Sequence, residues 1–111
     1  MRIDIRTNDL VLNPTDRAKI EACVGNALAR YTARIGRITV YIRDVNGPRG
    51  GIDYRCRISV HLPAADRVVV AKSGVELMPL VKRTAERAAF AVRRNVNRRR
   101  TVKRRAVSQP V

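Results

Sequence analysis

The sequence predicts an α+β fold in which a four-stranded sheet has both helices packed on one face, in the order β-α-β-β-β-α. Three observations lead to this two-layer sandwich. Four segments alternate between apolar and polar residues, as strands with one buried face do. Two longer segments repeat apolar residues at the spacing of an amphipathic helix. The loops between the last three strands are short, which favours an antiparallel meander.

The first strand and the first helix are indicated by their local sequence. Residues 2–6 alternate, with two isoleucines on one side and charged residues on the other. Asn13 is a favoured N-cap residue, and Pro14 suits the first position of a helix. Asp16 lies near the positive end of the helix dipole, and the helix is predicted to continue to about Ala33. Its predicted buried stripe consists of Ile20, Val24, Ala27, Leu28 and Tyr31.

The other three strands follow one another with short connections. A second strand is predicted from about Gly36, and a glycine-rich loop follows at residues 46–51. Residues 52–62 show the longest alternation in the chain and form the predicted third strand. A turn at residues 63–66 leads to a fourth strand at residues 68–71. The basic side chains predicted on the open face of the sheet are Arg43, Arg55, Arg57 and His61.

The second helix is predicted from Glu76 to Asn97, because Pro79 is tolerated only within the first turn of a helix. Residues 98–111 offer almost no apolar side chain to bury, and we expect them to be disordered when the protein is free. The predicted organisation is therefore a folded domain at residues 1–97 followed by a basic tail. The predicted buried stripe of the helix consists of Leu77, Leu80, Val81, Thr84, Ala85, Ala88 and Val92.

The charge of the chain predicts a polyanionic partner. The formal net charge is +15, and eleven of the 24 Lys and Arg residues lie from Lys82 onward with one acid, Glu86, so that this region carries 11 − 1 = +10. Nucleic acid is the leading candidate. An anionic membrane surface is the second, but the helix lacks the tryptophan that interfacial helices commonly carry. No signal-peptide pattern and no apolar run of about 20 residues is present, so we expect a cytoplasmic protein without a membrane partner.

The residue inventory argues against an enzyme. His61 is the single histidine, and no pair of acids has a spacing that suggests acid–base catalysis. The glycines of the loop at residues 46–51 do not follow the phosphate-loop pattern. Cys23 and Cys56 have no metal-binding spacing, and both are predicted to be reduced and buried. We therefore expect no catalytic residue, no metal, no cofactor and no small-molecule substrate.

The basic residues late in the chain are the candidate nucleic-acid ligands, because Arg and Lys neutralise phosphates and the planar fork of Arg contacts them with two hydrogen bonds. Single charged residues such as Arg2 and Arg67 are predicted only to keep the protein surface solvated. Few aromatic residues are present, Phe90 is expected to be half-buried, and no strand carries the aromatic pattern of an RNA-recognition motif. We therefore expect the protein to recognise the backbone and shape of a nucleic acid, not its base sequence. The candidate rRNA-binding residues are Arg87, Arg93, Arg94, Lys82, Arg83, Arg98, Arg99, Arg100, Arg30 and Arg34.

The pattern resembles a known family. The start Met-x-Ile-x-Ile, the capped first helix, the three-strand meander and the basic last helix are similar to the short hibernation promoting factor and ribosome-associated inhibitor A family of ribosomal subunit interface proteins. The resemblance covers about Met1–Asn97 and implies the β-α-β-β-β-α fold. It also implies binding to rRNA of the small ribosomal subunit, in the channel for mRNA and tRNA, with inhibition of translation in idle cells. The basic positions of that family fall on Arg87, Arg93 and Arg94.

The chain departs from the family pattern at three places. Phe90 replaces a residue that is often basic, residues 75–80 keep only Glu76 of an acidic, Tyr-containing segment, and residues 98–111 are unusually basic. Members of a longer form carry an extra domain that pairs ribosomes, so we expect this chain to be monomeric when free and not to pair ribosomes by itself. Two alternatives to a hibernation factor remain: a general RNA- or DNA-binding architectural module, and a small nuclease.

Overall fold

The computed structural model describes residues 1–8, 10–45, 53–64 and 66–108. The predicted element order and fold class are confirmed. A short 3-10 helix at Ala29–Arg34 follows the first α-helix. The strands and α-helices are β1 (Arg2–Asn8), α1 (Pro14–Leu28), β2 (Arg37–Asp44), β3 (Tyr54–His61), β4 (Arg67–Gly74) and α2 (Leu77–Ser108).

The sheet follows chain order, β1-β2-β3-β4. β1 pairs with β2 in parallel because α1 crosses between them, whereas the meander makes the two later pairs antiparallel. In this register Ile58 lies opposite Val40 on one side and Val70 on the other. The apolar residues of neighbouring strands therefore share one face of the sheet, which becomes the inner face.

Both helices cover that inner face and form one core with it. α1 buries Ile20, Val24 and Leu28, three members of the stripe predicted from its sequence. The N-cap is also confirmed, since the side-chain oxygen of Asn13 accepts a hydrogen bond from the amide of Asp16 at 2.7 Å. The fully buried residues of α2 are Leu80, Val81, Thr84, Ala85, Ala88 and Val92, all predicted.

The first helix ends earlier than predicted. The α-helix stops at Leu28 and continues as the 3-10 helix to Arg34, with Tyr31 at φ −110° and ψ 15°. Within this 3-10 helix, the Thr32 hydroxyl donates a 2.7 Å hydrogen bond to the carbonyl of Ala29. The tighter turn leaves Tyr31 only half-buried at the edge of the core.

The last helix continues beyond its predicted end at Asn97 to Ser108. Residues 98–108 contain neither Gly nor Pro and are rich in Arg and Lys, which have high helix propensity. The buried stripe is also longer than predicted and includes Asn95 and Val96. The backbone therefore passes the proposed boundary at Asn97 as continuous helix. The division into a folded domain and a tail that is disordered when free stays a prediction.

Smaller differences concern the strand ends and the cysteines. β4 runs to Gly74, three residues beyond the predicted strand end at Ala71. The loop predicted at residues 46–51 lies outside the described residues. Cys56 is buried and free as predicted, but Cys23 is only half-buried. In the described part of the chain, no helix is both long and apolar enough to cross a membrane.

Candidate nucleic-acid interface

The exposed side of α2 carries a row of basic residues opposite its buried stripe. Spacings of three and four residues place the row members one above another along the helix. Each of them is exposed. We call this set the helix row, and it consists of Arg83, Arg87, Phe90, Arg94 and Arg98.

Phe90 is the apolar member of the helix row, and the prediction that it is half-buried agrees with the structure. Its side chain is 47% exposed because it lies on the side of α2 that faces away from the sheet. The guanidinium carbons of Arg87 and Arg94 lie 5.2 Å and 5.9 Å from the ring centroid. These cation–π contacts hold two guanidinium groups beside one ring, so that charge and a stacking surface are presented together.

A groove between the 3-10 helix and α2 brings together three candidate residues from distant parts of the sequence. Arg30 and Arg34 lie on its one wall and Arg93 on the other, around a cavity of about 320 Å³. Both Arg30 and Arg34 belong to the 3-10 helix that follows α1. The sequence indicated each residue separately, but not this juxtaposition.

A second cavity of about 480 Å³ lies on the other side of α2, beside β4. Its basic lining residues are Arg94 and Arg98 of the helix row and Arg67 of β4. Arg67 was interpreted as surface solvation, so the sequence analysis missed it as an interface candidate. Its position directly after the turn at residues 63–66 was the one available signal, because that turn delivers β4 to the edge of the sheet beside α2.

Arg99 has an intramolecular role that the sequence did not reveal. Its Nε donates a 3.0 Å hydrogen bond to Oδ2 of Asp66, and its Nη2 contacts the same oxygen at 2.5 Å. Nδ2 of Asn95 donates to that oxygen at 3.1 Å. The bonds from Arg99, and then from Asn95, hold the pKa of the Asp66 carboxyl below its usual range. Arg99 therefore joins α2 to the turn between β3 and β4.

The remaining candidates lie at the two ends of the basic surface. The Arg83 guanidinium lies over Gly74, where a Cβ atom would come within 2.7 Å of its Nη2 atom, so a glycine leaves room for it. Lys82 is exposed on the side of α2 nearest Cys23. Burial raises the pKa of the Cys23 thiol, and the charge of Lys82 partly opposes this increase. The Arg100 side chain lies outside the described part of the structure.

The arrangement favours binding of phosphates over catalysis. Glu86 is the one acidic residue in the described side chains of α2, so the helix row presents a strongly positive surface. Among the described residues, no group of three His, Cys, Asp or Glu side chains is placed to hold a metal ion. A small α+β domain with an arginine-rich helix face has the kind of positive surface on which phosphates of a nucleic-acid backbone can bind.

Comparisons with known proteins establish the fold. No protein-family model and no curated protein matches the sequence. The N-terminal domain of Protein Y from Thermus thermophilus matches with a TM-score of 0.71 at 23% identity, over 85% of this chain and 98% of that one. A ribosomal subunit interface protein from Coxiella burnetii matches with a TM-score of 0.70 at 12% identity, over 86% of this chain and 99% of that one. The resemblance predicted from the sequence is thus confirmed as a shared fold.

Proposed function

We propose that the protein is a ribosome hibernation factor. It binds the small ribosomal subunit through rRNA in the mRNA and tRNA channel and inhibits translation in idle cells, as a cytoplasmic monomer without enzymatic activity. The observation that carries the proposal is the helix row, displayed on a fold that a ribosomal subunit interface protein shares. rRNA is a densely charged, folded polyanion, which is the kind of partner that the net charge of +15 favours.

The helix row and the groove beside it supply the contacts in this proposal. Arg87 and Arg94 bind phosphates of the rRNA backbone, and Phe90 offers its exposed ring to an unstacked base between them. The groove of Arg30, Arg34 and Arg93 receives a second stretch of backbone. About five phosphate contacts give a slope of log K against log salt near −4 to −5. Occupation of the channel then excludes mRNA and tRNA.

The last part of the chain has a supporting role in the proposal. Residues 98–111 add affinity with little selectivity, since their charge is dense and their described backbone extends beyond the packed part of α2. A chain that ends after Arg99 keeps the hydrogen bond from Arg99 to Asp66. It therefore tests the contribution of the last residues to affinity without disturbing the fold. We expect it to bind ribosomes more weakly and with a flatter salt slope, at unchanged thermal stability.

Co-sedimentation with small subunits, together with translation in vitro, tests the proposal. The double variant Arg87→Gln/Arg94→Gln removes two charges from the helix row, and Lys19→Gln/Lys72→Gln removes two exposed charges from elsewhere as a matched control. We expect Arg87→Gln/Arg94→Gln to bind ribosomes about tenfold more weakly or worse, with a slope of log K against log salt that is flatter by about 2. In the control, the change in affinity and the change in slope should each be less than half as large.

Two outcomes contradict the proposal. If the unmodified protein leaves both sedimentation and translation unaffected at moderate salt, it is not a hibernation factor. If excess naked duplex RNA or DNA displaces it as readily as free ribosomes do, the general nucleic-acid-binding module is the better description. Equal behaviour of the two double variants would show that the helix row is not the contact surface.

A further inference from the structure

The sheet has a second basic surface on the side away from both helices. Alternation along β1–β4 sends every second residue to this outer face, and the register aligns them across the strands. Asp4 is the one acidic residue at these strand positions, and it is paired with Arg2 at 3.4 Å. Six further arginines lie on the outer face, all of them exposed: Arg6, Arg37, Arg43, Arg55, Arg57 and Arg67.

The register places like charges directly opposite each other. Arg43 is the cross-strand partner of Arg55, and Arg37 is the partner of Arg2. Like charges at facing positions of a sheet destabilise it, and the fold has no need of them because the outer face is not packed. A bound polyanion converts this repulsion into attraction. The sequence predicted Arg43, Arg55 and Arg57 on an open face, but the pairing of arginines depends on the register and was not predicted.

The centre of the outer face combines charge with a flat stacking surface. The guanidinium carbon of Arg57 lies 4.5 Å from the centroid of the Tyr41 ring, and both side chains lie between two depressions. One depression has a volume of about 500 Å³ and is lined by Arg6, Arg43 and Arg55 as well. Guanidinium planes and aromatic rings both stack on nucleobases, so an arginine on a tyrosine is a platform for an unpaired base.

A buried hydroxyl points to a ligand at the same place. Ser59 lies on the outward side of β3 but is only 6% exposed, and its Oγ has no hydrogen-bond partner among the described residues. It lines the second depression, of about 110 Å³, together with Tyr41, Arg57, Arg67 and Val69. Buried hydroxyls without a partner are rare because an unmade hydrogen bond costs stability. A polar group of a ligand in this depression would satisfy it.

We propose that the outer face of the sheet binds single-stranded RNA. Phosphates lie on the arginines around Arg43 and Arg55, a base stacks on the platform of Tyr41 and Arg57, and a sugar or base atom bonds to Ser59. A single strand fits better than a duplex, because the stacking platform is accessible only to a base that is not paired within a helix. The helix row lies on α2 and the platform lies on the other side of the sheet, with Arg67 at the border between the two surfaces, so one protein holds two RNA segments. This site is independent of ribosome binding.

The test is binding of a fluorescent single-stranded RNA oligonucleotide to the full chain, measured by fluorescence anisotropy at several salt concentrations. The background is Arg87→Gln/Arg94→Gln, which removes much of the competing helix row. In it we expect Arg43→Gln/Arg55→Gln to weaken binding at least about tenfold and to flatten the salt slope by about 1.4, and Arg43→Lys/Arg55→Lys to keep most of the slope. Thermal stability should stay the same or rise as the repulsion disappears.

Ser59→Ala separates a ligand contact from a structural role. The substitution removes the buried hydroxyl, so the folded protein should be equally or more stable while RNA binds a few-fold more weakly. Ultraviolet cross-linking should attach the oligonucleotide to Tyr41 in the same background. A protein that is less stable and binds RNA unchanged would show that Ser59 serves only the fold.

Three results overturn the proposal. The first is that Arg43→Gln/Arg55→Gln changes neither the affinity for RNA nor the salt slope. The second is complete loss of RNA binding by Arg87→Gln/Arg94→Gln alone. The third is that Arg43→Gln/Arg55→Gln weakens binding of polyglutamate more than binding of RNA, which would identify an acidic protein as the partner. None of these depends on ribosomes, so failure of ribosome co-sedimentation leaves this site standing.

Discussion

The two faces of β3 differ sharply in burial and charge, although they share one backbone. Inward, Cys56, Ile58 and Val60 are fully buried under α2 and α1. Outward, Arg55 and Arg57 are exposed and face further arginines across the sheet. The difference separates two requirements. The inner face is what the fold needs, because burial of apolar area is its main stabilising contribution, whereas the outer face is free to carry binding chemistry.

α2 repeats this division along one helix. Its inner stripe fits small residues such as Ala85 and Ala88 against the sheet, and its outer side displays the helix row. The two basic surfaces also differ from each other. In the helix row Phe90 lies between Arg87 and Arg94, whereas Arg43 and Arg55 face each other across neighbouring strands. Both surfaces therefore hold like charges close together, but only in the helix row does an aromatic ring lie between two of the arginines.

Substitution of neighbouring residues on the two faces gives the largest expected effect. Ile58→Ala removes a fully buried side chain at the centre of the sheet and should lower the free energy of unfolding by about 2–5 kcal/mol. Arg57→Ala removes an exposed side chain and its contact to Tyr41, and should cost about 0.5–1 kcal/mol. Chemical denaturation measures both. Equal costs would mean that the outer face is also part of the core.

The two cysteines test the depth of the inner face by their reactivity. Burial raises the pKa of the Cys56 thiol to about 11, so its thiolate at neutral pH is rarer by on the order of a hundredfold than that of an unperturbed cysteine. Burial also raises the pKa of the half-buried Cys23 thiol, and the charge of Lys82 opposes this effect. A thiol reagent should modify one cysteine per folded chain quickly, and mass mapping should identify it as Cys23.

Controls make the thiol experiment decisive. Cys23→Ser should remove the fast phase, and denaturant should expose Cys56 at the rate of unfolding. A fast reaction of Cys56 in the folded Cys23→Ser protein would contradict the fully buried inner face.

The inner face was predictable from the sequence because local periodicity reports it. Alternation placed Ile58 and its neighbours correctly, and Asn13 was recognised as the cap of α1 from residue type alone. The end of α2 was not predicted, because the lack of apolar side chains after Asn97 was given more weight than the helix propensity of Arg and Lys. Tyr41 was overlooked as a strand aromatic since a single ring lacks the pattern of a known motif.

The contacts between distant segments lay beyond the sequence analysis. The groove of Arg30, Arg34 and Arg93 lies between the 3-10 helix and α2, two segments that are far apart in the sequence. The bond between Arg99 and Asp66 joins residues that no periodicity relates. Charge composition therefore predicts that a basic surface exists, whereas tertiary structure decides which arginines share it and which one is an internal anchor.

Acid should release the end of α2 while leaving the inner face intact. The folded-state pKa of Asp66 is lowered by Arg99, so its contribution is fully present above the unfolded pKa and is lost as the pH falls through the folded pKa. Amide hydrogen exchange should then show reduced protection for residues 95–108, with residues 80–92 unchanged. Asp66→Asn should have this reduced protection already at neutral pH, with no further change on acidification.

The outcome that breaks this prediction is equal protection of residues 95–108 in Asp66→Asn and in the unmodified protein at neutral pH. Arg98→Gln is the matched control for Arg99→Gln, because both lose one charge at the end of α2 but only Arg99 bonds to Asp66. Only the Arg99 substitution should loosen the helix end, whereas both should weaken RNA binding.

The smallest expected effect concerns the turn that joins β3 and β4. Ala64 has φ 61°, in the left-handed region that costs an L-residue with a side chain about 1–2 kcal/mol and costs glycine little. Ala64→Gly removes this strain but gives the unfolded chain more freedom, so the net gain should be about 0.5 kcal/mol. Ala71→Gly, on the exposed side of β4, should instead lose about 0.5–1 kcal/mol. Thermal unfolding of the two variants should therefore shift in opposite directions, and a shift of both to lower temperature would mean that Ala64 carries no strain.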